Sequence, residues 1–381
     1  MANILTLDIE CQSYNKGNPF DTRNYPICFA YKFKDQPANV IWNDHVYDLF
    51  AAEIQRVVEQ ANYIIGFNLK FDLHWLRWCG VTIPESVHLL DGQVAEFLIS
   101  NQTHAYPSLD DCALKYLNEQ KIDEVKLNYW DQDKLSSEVP QEVMTKYALR
   151  DVELTEAVLG AQIPILRSEG KLKLFQLQME DLKVLQEMEW NGLKFNEEEA
   201  KRLSSLAKTE LANIDNELFG NHPYRSFINP NSGDHLSVFL YGGSIIHEER
   251  VPNGVFKTGA KTGLPRYKIV KYELKFKRQF EPIEGSELKK EGYYSTDEKV
   301  LRKLRGNKRL IELILKRSEL EKLCGTYYDG LIKIREKMNW EENTLHGQLN
   351  MVVARTGRLS ASEPNQQNMA KDIKDLFYSR Y

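Results

Sequence analysis

The first 165 residues alternate between strand-like and helix-like spacing of apolar positions. Short apolar runs bounded by turn residues predict strands over residues 4–10, 27–34, 38–42 and 63–67. Apolar positions that recur every three or four residues predict helices over residues 47–60, 68–79, 87–99, 109–117 and 141–159. Acidic residues stand where several of these elements begin or end. The pattern predicts a mixed α/β domain.

From residue 169 onward the pattern is mostly helical. A long helix is predicted over residues 172–189, and Asn196 opens the next one. Residues 221–295 are rich in Pro, Gly and Asn, which predicts irregular structure with short alternating stretches such as 267–276. A helical region, capped at residue 295 or 296, then runs to about residue 337, and turn-rich sequence follows.

Length and composition limit the class of protein. With 381 residues the chain has room for two or three domains of an ordinary globular protein. The five cysteines are scattered without CxxC spacing, which predicts reduced thiols rather than disulfides or a zinc site. The apolar N-terminus runs directly into Asp8 and Glu10, so neither a signal peptide nor a membrane anchor is expected. These features predict a cytoplasmic protein.

The formal net charge of −5 conceals an uneven distribution. Residues 1–165 contain 13 Lys and Arg against 24 Asp and Glu, a net charge of −11. The remaining residues contain 37 against 31, a net charge of +6. An acidic half that gathers metal ions, followed by a basic half that holds a polyanion, would explain this distribution.

Three short segments each place two polar side chains on one face of an element. The pairs are Asp8/Glu10, Asn68/Asp72 and Tyr147/Asp151. The first pair is two residues apart in a predicted strand, and the others are four residues apart in predicted helices. Each pair alone is typical of an ordinary surface. If the four acids converge, however, they need cations, and hard divalent metals in pairs indicate phosphoryl-transfer chemistry.

In this order, the DxE, NxxxD and YxxxD motifs resemble those of the DEDDy 3′–5′ exonucleases, which have a ribonuclease H-like fold. The resemblance implies that Asp8, Glu10 and Asp151 bind one metal tightly, and that Asp8 also contacts a second metal. It implies that Asp72 is a more distant ligand acting through water. Tyr147 would orient the attacking water. The implied cofactors are two divalent ions, Mg²⁺ or Mn²⁺.

Four further polar residues near these motifs have open roles. Asn68 is explained equally well as a helix N-cap and as a contact to bound DNA. Asp91 matches a recurrent acid of the family but equally suits a helix N-terminus, so it is not taken as a ligand. Lys70 and Arg77 could contact phosphate, although exposed cations are usually only solvated.

A second motif lies near the other end of the chain. Residues 354–368, ARTGRLSASEPNQQN, resemble the TGRLSS-x-PNLQN segment at which the palm of family A DNA polymerases begins, and His346 fits the stretch upstream. The resemblance implies that four side chains contact primer–template DNA: Arg358, Asn365, Gln367 and Asn368. Such donors suit the acceptors that every base pair presents in the minor groove. The alternative is an ordinary polar loop, and Gln366 and Ala370 depart from the family pattern.

Between these motifs, four segments resemble landmarks of the thumb of the same family: residues 188–193, 229–232, 294–301 and 322–327. Residues 250–278 contain nine Lys and Arg against one acid, Glu273. A solvated face is the usual explanation of such a run. In a thumb, we expect Lys257, Lys261 and Arg266 to contact the backbone of duplex DNA.

Together these observations predict three domains. A ribonuclease H-like 3′–5′ exonuclease domain occupies residues 1–168, a mostly helical thumb with a basic insertion occupies 169–338, and the beginning of a polymerase palm occupies 339–381. The predicted function is proofreading: the chain binds primer–template DNA and removes mismatched nucleotides from its 3′ end. The layout resembles compact phage-type enzymes, which act in a bacterial or phage-infected cytoplasm.

The later polymerase motifs are not in this sequence, so we expect no primer extension by this chain alone. Two alternatives to a proofreading exonuclease stay open. The chain could be a non-catalytic, DNA-gripping half of a split polymerase that docks a separate palm–fingers chain. It could also be a free-standing DEDDy ribonuclease.

Overall fold

The computed structural model describes residues 2–44, 46–259 and 261–378. The chain forms two compact units. The first contains the residues up to Glu197 together with those from Leu331 onward, and the second contains Glu198–Gly330. The predicted exonuclease and palm segments therefore share one unit. These limits differ from the predicted domain boundaries at residues 168 and 338, which stay a prediction.

A five-stranded sheet lies at the centre of the first unit, in the order β3-β2-β1-β4-β5. Its strands are β1 Ile4–Cys11, β2 Pro26–Phe33, β3 Asn39–Trp42, β4 Tyr63–Gly66 and β5 His88–Asp91. The first three strands pair antiparallel, whereas β4 pairs parallel with both β1 and β5. The structure thus confirms the predicted mixed α/β class.

The prediction of one helix over residues 87–99 is wrong in its first part. β5 occupies His88–Asp91, and α3 (Gly92–Ile99) begins at the next residue. Asp91 both ends the strand and caps the helix, so no turn residue separates the two elements. Their apolar positions therefore form one uninterrupted run in the sequence, which is typical of a single helix.

The other helices of the first unit flank the sheet. They are α1 Tyr47–Val58, α2 Leu69–Trp78, α4 Leu109–Leu117, α5 Glu124–Asn128, α6 Gln141–Ser168 and α7 Leu172–Asn191. α6 continues well beyond its predicted end at residue 159, past Gly160 and Pro164. Its last turns bury Leu166, and this packing outweighs the weak helix propensity of the two residues.

The side chains of β1 alternate between the two faces of the sheet. Leu5, Leu7 and Ile9 are buried in the main core, with residues of α1, α2, α3 and α7. Asp8 and Glu10 therefore point to the opposite face. The alternation thus separates the core-forming side chains of this strand from its acidic ones.

α6 covers the face of the sheet that carries these acids. Cys28 and Ala30 of β2 are the cross-strand partners of Glu10 and Asp8, and both are fully buried. They pack in one cluster with Ala148 of α6. Because Cys and Ala are small, α6 can lie close enough to the sheet for its own polar side chains to reach those of β1.

The end of the chain adds short strands to the first unit. β6 Leu193–Phe195 pairs antiparallel with β9 Thr344–Leu345 and with β12 Phe377–Tyr378. β10 Gln348–Asn350 pairs with β11 Ser360–Ser362. The segment after residue 338, which was predicted to be turn-rich, thus takes part in three short strand pairings.

The second unit is mostly helical and carries one long hairpin. Its elements are α8 Glu197–Phe219, α9 Gly233–Tyr241, β7 Gly243–Val255, β8 Pro265–Phe276, α10 Glu298–Leu301 and α11 Lys308–Lys322. The chain passes between the units within α8 and again within α12 (Asp329–Lys337). Among the described residues, no helix has the length and apolar character needed to cross a membrane.

The prediction of irregular structure over residues 221–295 is wrong for α9 and for β7, whereas the predicted alternating stretch over residues 267–276 lies within β8. β7 and β8 pair antiparallel over almost their whole length. Only the base of the hairpin is buried, at Ile245, Leu274 and Phe276. Because its positions are mainly exposed, β7 shows little of the apolar alternation that marks a half-buried strand.

Candidate metal centre

The carboxylates of Asp8, Glu10 and Asp151 converge at one point of the first unit. One oxygen atom of each lies within 4.8 Å of those of the other two. β1 supplies the first two side chains from one strand face, and α6 supplies the third from above that face. The structure thus brings together three of the acids that the sequence singled out.

Asp72 lies beside this group rather than within it. Its Oδ1 accepts a hydrogen bond of 3.0 Å from the backbone N–H of Ile9, between the two acids of β1. β1 pairs with β4 only as far as Thr6, and α2 follows β4 directly. The first turn of α2 therefore places Asp72 against the edge of β1 that faces away from β2, beyond the point where β4 pairs with it.

Tyr147 stands one helical turn before Asp151 on α6 and is buried. Its ring packs edge-on against Trp130, with 5.5 Å between the ring centroids. Burial and the nearby charges of Glu10 and Asp151 raise the pKa of the phenol far above its ordinary value. The hydroxyl therefore stays protonated next to the carboxylates.

Lys121 also reaches this centre, although it is not among the site residues predicted from the sequence. It lies in the loop between α4 and α5, and its ammonium forms an ion pair with Asp151 Oδ2. The same Nζ donates a hydrogen bond of 3.0 Å to the Tyr147 hydroxyl. No local pattern marks this lysine, because only the folded loop brings it to α6.

The carboxyl groups of the centre hold their protons more tightly than free acids do. Burial raises the pKa of Asp8, Glu10, Asp72 and Asp151, and neighbouring carboxylates add to the effect at the last three. For Asp151 the pKa rises to about 7, although the charge of Lys121 acts in the opposite direction. The acids are therefore crowded and poorly compensated by protein groups alone.

These residues fit a divalent metal ion. All the donors are carboxylate oxygens, which hard cations such as Mg²⁺ and Mn²⁺ prefer. Asp151 Oδ1 is buried and has no hydrogen-bond partner. A buried carboxylate oxygen without a partner is costly, and coordination to a cation would satisfy it.

Two cavities share Phe71 in their linings, and one of them reaches the centre at Glu10. The larger, of about 480 Å³, is lined by Glu10, Trp130 and Ser136 among others. The smaller, of about 310 Å³, is lined by polar side chains that include Asn68. Both volumes lie in or near the range of small-ligand sites.

The capping role considered for Asn68 is wrong. Asn68 precedes α2 but has left-handed backbone angles (φ 61°, ψ 43°), and its side chain makes no capping hydrogen bond. Asp91 holds this conformation instead, because its carboxylate accepts hydrogen bonds from the backbone of Asn68 and Leu69 at 3.1 and 2.9 Å. The Asn68 side chain lines the smaller cavity.

The other two residues with open roles form ion pairs within the protein. Lys70 pairs with Glu189 of α7 at 2.5 Å, and Arg77 pairs with Glu187 at 2.5 Å. Neither cation is simply solvated, which was one of the two roles left open for them. The Lys70 pair is largely buried, whereas the Arg77 pair is exposed.

The polar residues predicted to bind primer–template DNA lie at the surface of the first unit. Arg358 is exposed in the loop before β11. Asn365 is exposed, and its Oδ1 accepts a 3.2 Å hydrogen bond from the backbone of Gln367, which stabilises the short turn Gln366–Asn368. Gln367 and Asn368 are exposed on that turn.

The basic residues predicted to bind the DNA backbone lie on the hairpin of the second unit. Lys257 and Lys261 are exposed in the connection between β7 and β8, and Arg266 is exposed near the start of β8. A cation at such a tip is free to meet a polyanion, but exposure alone does not distinguish that role from solvation.

Comparison with known proteins matches both ends of the chain. A family model described as 3′-5′ exonuclease matches residues 2–161, and the model of DNA polymerase family A matches residues 269–380. Exonuclease domains of this kind use divalent metal, and the carboxylate group lies within the matched segment.

Curated relatives cover most of the chain. It is 29% identical over 328 residues to DNA polymerase I of Borreliella burgdorferi, which covers 85% of this chain and 30% of that protein. It is 25% identical over 315 residues to DNA polymerase I of Bacillus subtilis, covering 82% of this chain and 30% of that protein. The chain thus spans about a third of the length of these relatives.

A solved structure shares the fold. It is titled as the POL domain of Pol1 from M. smegmatis in complex with DNA primer-template and dNTP. The TM-score is 0.67 at 17% identity, and the match covers 98% of this chain and 54% of the other. With a 3′-5′ exonuclease match at one end and a match to DNA polymerase family A at the other, the chain resembles the corresponding parts of family A DNA polymerases.

Proposed function

We propose that the chain removes nucleotides from the 3′ end of DNA by hydrolysis with two divalent ions, Mg²⁺ or Mn²⁺. The observation that carries this proposal is the convergence of Asp8, Glu10 and Asp151 within a 3′-5′ exonuclease domain. The products would be nucleoside monophosphates. In a polymerase, this activity is proofreading.

Each residue of the centre has a distinct proposed role. Asp8, Glu10 and Asp151 would hold the metals, Asp8 would serve both, and Asp72 would act at longer range through water. When bound, the two metals would supply an activated water and stabilisation of the charge on the leaving 3′ oxygen. Tyr147 orients the attacking water through its hydroxyl and adds no negative charge, since it stays protonated.

The two cavities that share Phe71 support a nucleic-acid substrate. The larger cavity is lined by the aromatic rings of Phe71 and Trp130, and bases of single strands stack on such rings. The smaller one is lined by amides, including Asn68 and Gln93, which can donate to sugar or phosphate oxygens. We propose that the last nucleotides of the 3′ end occupy these two cavities.

Further residues are proposed to hold the duplex part of the DNA. Surface amides and a guanidinium after β10 suit the minor groove, and cations of the hairpin tip suit the backbone. The residues are Arg358, Asn365, Gln367, Asn368, Lys257, Lys261 and Arg266. A separate palm–fingers chain, a phage-type layout and a cytoplasmic location stay predictions.

The test is digestion of a 5′-labelled single-stranded DNA with Mg²⁺ present. Asp8→Ala/Glu10→Ala should be at least about 10³-fold slower, because metals supply several kcal/mol and about 1.4 kcal/mol is tenfold in rate. Asp48→Ala/Glu53→Ala, which removes two exposed acids of α1, is the matched control. Equal rates for the parent and the first variant would show that this centre is not the nuclease site.

The same assay with an RNA strand of matched sequence separates the two nuclease hypotheses. We expect faster digestion of the DNA, since the family match is to DNA polymerases. Preference for RNA would favour the free-standing ribonuclease.

A further inference from the structure

We propose that Lys121 is the built-in counter-ion of the carboxylate centre, and that its ammonium and a divalent metal compete for Asp151. Without metal, Lys121 would hold Asp151 and Tyr147 in place. With metal, the lysine would give up Asp151. This inference rests on the proposed metal chemistry of the same centre but assigns a residue that the family motifs do not contain.

The position of the ammonium carries the proposal. Lys121 Nζ contacts two members of the centre at once, through the ion pair with Asp151 Oδ2 and the 3.0 Å hydrogen bond to Tyr147. It also lies 4.9 Å from the centroid of the Tyr147 ring. The side chain is only 17% exposed, so this is not a loose surface pair.

The loop around Lys121 is anchored, while the side chain can move. The backbone N–H of Lys121 donates to Asp110 of α4 at 3.3 Å, and Glu119 of the same loop pairs with Arg150 of α6. These contacts fix the Cα of Lys121 beside α6. The flexible four-carbon stem then allows the ammonium to leave Asp151 without movement of the backbone.

Simultaneous binding of both cations at Asp151 is unfavourable. Lys121 occupies Oδ2 and leaves only Oδ1 without a partner. A divalent ion held by Asp8, Glu10 and Asp151 would stand within a few ångströms of the ammonium, where two positive charges repel strongly in a partly buried site. Metal binding therefore includes the cost of breaking the lysine pair.

After displacement, the Tyr147 hydroxyl remains an acceptor for the lysine. A phenol oxygen has lone pairs for the Lys121 N–H while its own proton points elsewhere. Lys121 would thus keep the hydroxyl proton directed away from itself and toward Asp151 or a water. In this respect Lys121 is a positioning residue that acts through Tyr147.

The first experiment measures Mn²⁺ binding to the full chain by electron paramagnetic resonance of free Mn²⁺ at one pH. Lys121→Met should bind Mn²⁺ about 5- to 150-fold more tightly than the parent, the usual range of a coupling between two binding events. Lys126→Met, at an exposed lysine of α5, is the matched control and should bind as the parent does. Equal or weaker binding by Lys121→Met would overturn the proposal.

The second experiment measures thermal unfolding with EDTA and with saturating Mn²⁺. Lys121→Met should unfold at a lower temperature than the parent in EDTA, because the crowded carboxylates lose their only described internal cation partner at Asp151. Mn²⁺ should reduce this difference, since the tighter-binding variant gains more from the ligand. A deficit that persists unchanged in Mn²⁺ would mean that Lys121 is a permanent structural pair, which contradicts competition.

Failure of the metal hypothesis would look different. If the parent and Asp8→Ala/Glu10→Ala bind Mn²⁺ equally, the centre binds no metal, and both the proposed function and the competition are wrong. If the parent binds Mn²⁺ through this centre and Lys121→Met binds it equally well, only the role of Lys121 is wrong.

Discussion

Tyr147 shows how burial selects a chemical role for one side chain. A phenol surrounded by the charges of Glu10 and Asp151 cannot ionise near neutral pH, because burial and both charges raise its pKa. It can therefore orient a water molecule by hydrogen bonding but cannot act as a phenolate base. Its contribution should be one of positioning.

For this reason, Tyr147→Phe should slow digestion of single-stranded DNA by about 10²-fold, at the lower end of the usual effect of a positioned proton donor or acceptor. Mn²⁺ affinity should change little, since the phenol is not a proposed ligand. Tyr129→Phe, at a partly exposed tyrosine after α5, serves as the control. A Tyr147→Phe variant as fast as the parent would remove Tyr147 from the mechanism.

The raised pKa of Asp151 makes the metal-free protein sensitive to pH. Its pKa is about 7 in the folded protein, against 3.8 as the ordinary value. Between these values the folded chain keeps a proton that the unfolded chain releases, so stability falls as pH rises. The protonated group favours folding fully below about 4, and this contribution is lost as pH passes about 7.

In EDTA, the unfolding temperature of the parent should therefore decrease between about pH 5 and about pH 8. The decrease should be smaller in Asp151→Asn, because this variant has no titrating carboxyl at position 151. Saturating Mn²⁺ should abolish most of the difference, because a bound cation keeps the carboxylate ionised. Parallel pH dependences of the parent and Asp151→Asn in EDTA would show that this carboxyl does not titrate in the range.

Some site residues could be predicted from the sequence because local spacing determines the face of the strand or helix on which their side chains lie. Asp8 and Glu10 share a strand face, and Tyr147 and Asp151 share a helix face, so spacing was sufficient to pair them. Lys121 could not be predicted in this way. Its contact with α6 depends on the path of a short loop, which leaves no periodic signal.

At the scale of elements, one carboxylate fixes the start of two helices. Asp91 accepts hydrogen bonds from Gln93 and Val94 at the start of α3, and from Asn68 and Leu69 at the start of α2. β4 and β5 are parallel neighbours, so the helices that follow them begin side by side. Because Asp91 fixes the start of α2, it also determines where Asp72, in the first turn of that helix, contacts β1.

Asp91→Ala should lower the free energy of unfolding of the first unit by about 2 kcal/mol, because one helix cap is worth up to about that amount and further N–H groups lose their acceptor. Ser108→Ala removes an ordinary cap with a single described backbone acceptor bond at α4 and should cost about 1 kcal/mol. Equal costs would show that Asp91 serves only α3.

Urea unfolding followed by tryptophan fluorescence measures both costs. All six tryptophans lie in the first unit, at positions 42, 75, 78, 130, 190 and 340. The signal therefore reports this unit and not the second one.

Strands and helices could be predicted where buried apolar side chains recur regularly along the sequence. β1, β4 and α2 have continuous apolar positions and were predicted closely. β7 was not predicted, because most of its side chains are exposed and its pairing with β8 consists of backbone hydrogen bonds, which leave no period in the sequence.

At the scale of the whole chain, a buried polar group joins distant segments of the first unit. Glu189 of α7 accepts hydrogen bonds from Lys70 and His74 of α2 and from the backbone N–H of Leu349 in β10. Lys70 also donates to the carbonyl of Leu349. The predicted exonuclease and palm segments are thus tied through one carboxylate.

The protonation states of His74 and Glu189 follow from their hydrogen-bond partners. The amide nitrogen of Gln186 faces His74 Nδ1 at 3.3 Å, so Nδ1 must accept and Nε2 must donate to Glu189. Burial lowers the pKa of His74, which keeps the ring neutral. Burial would raise the pKa of Glu189, but the His74 hydrogen bond and the Lys70 charge outweigh it and hold the pKa below its usual value.

Glu189→Gln should therefore lower the free energy of unfolding of the first unit by about 2–3 kcal/mol, since it removes charge-assisted hydrogen bonds and leaves the Lys70 ammonium largely buried without a counter-charge. Glu187→Gln is the matched control on the same helix, because its pair with Arg77 is exposed and worth no more than about 1 kcal/mol. Tryptophan-monitored urea unfolding compares the two variants. Similar small costs would mean that the Glu189 group is not what joins these segments, and that apolar packing around it is sufficient.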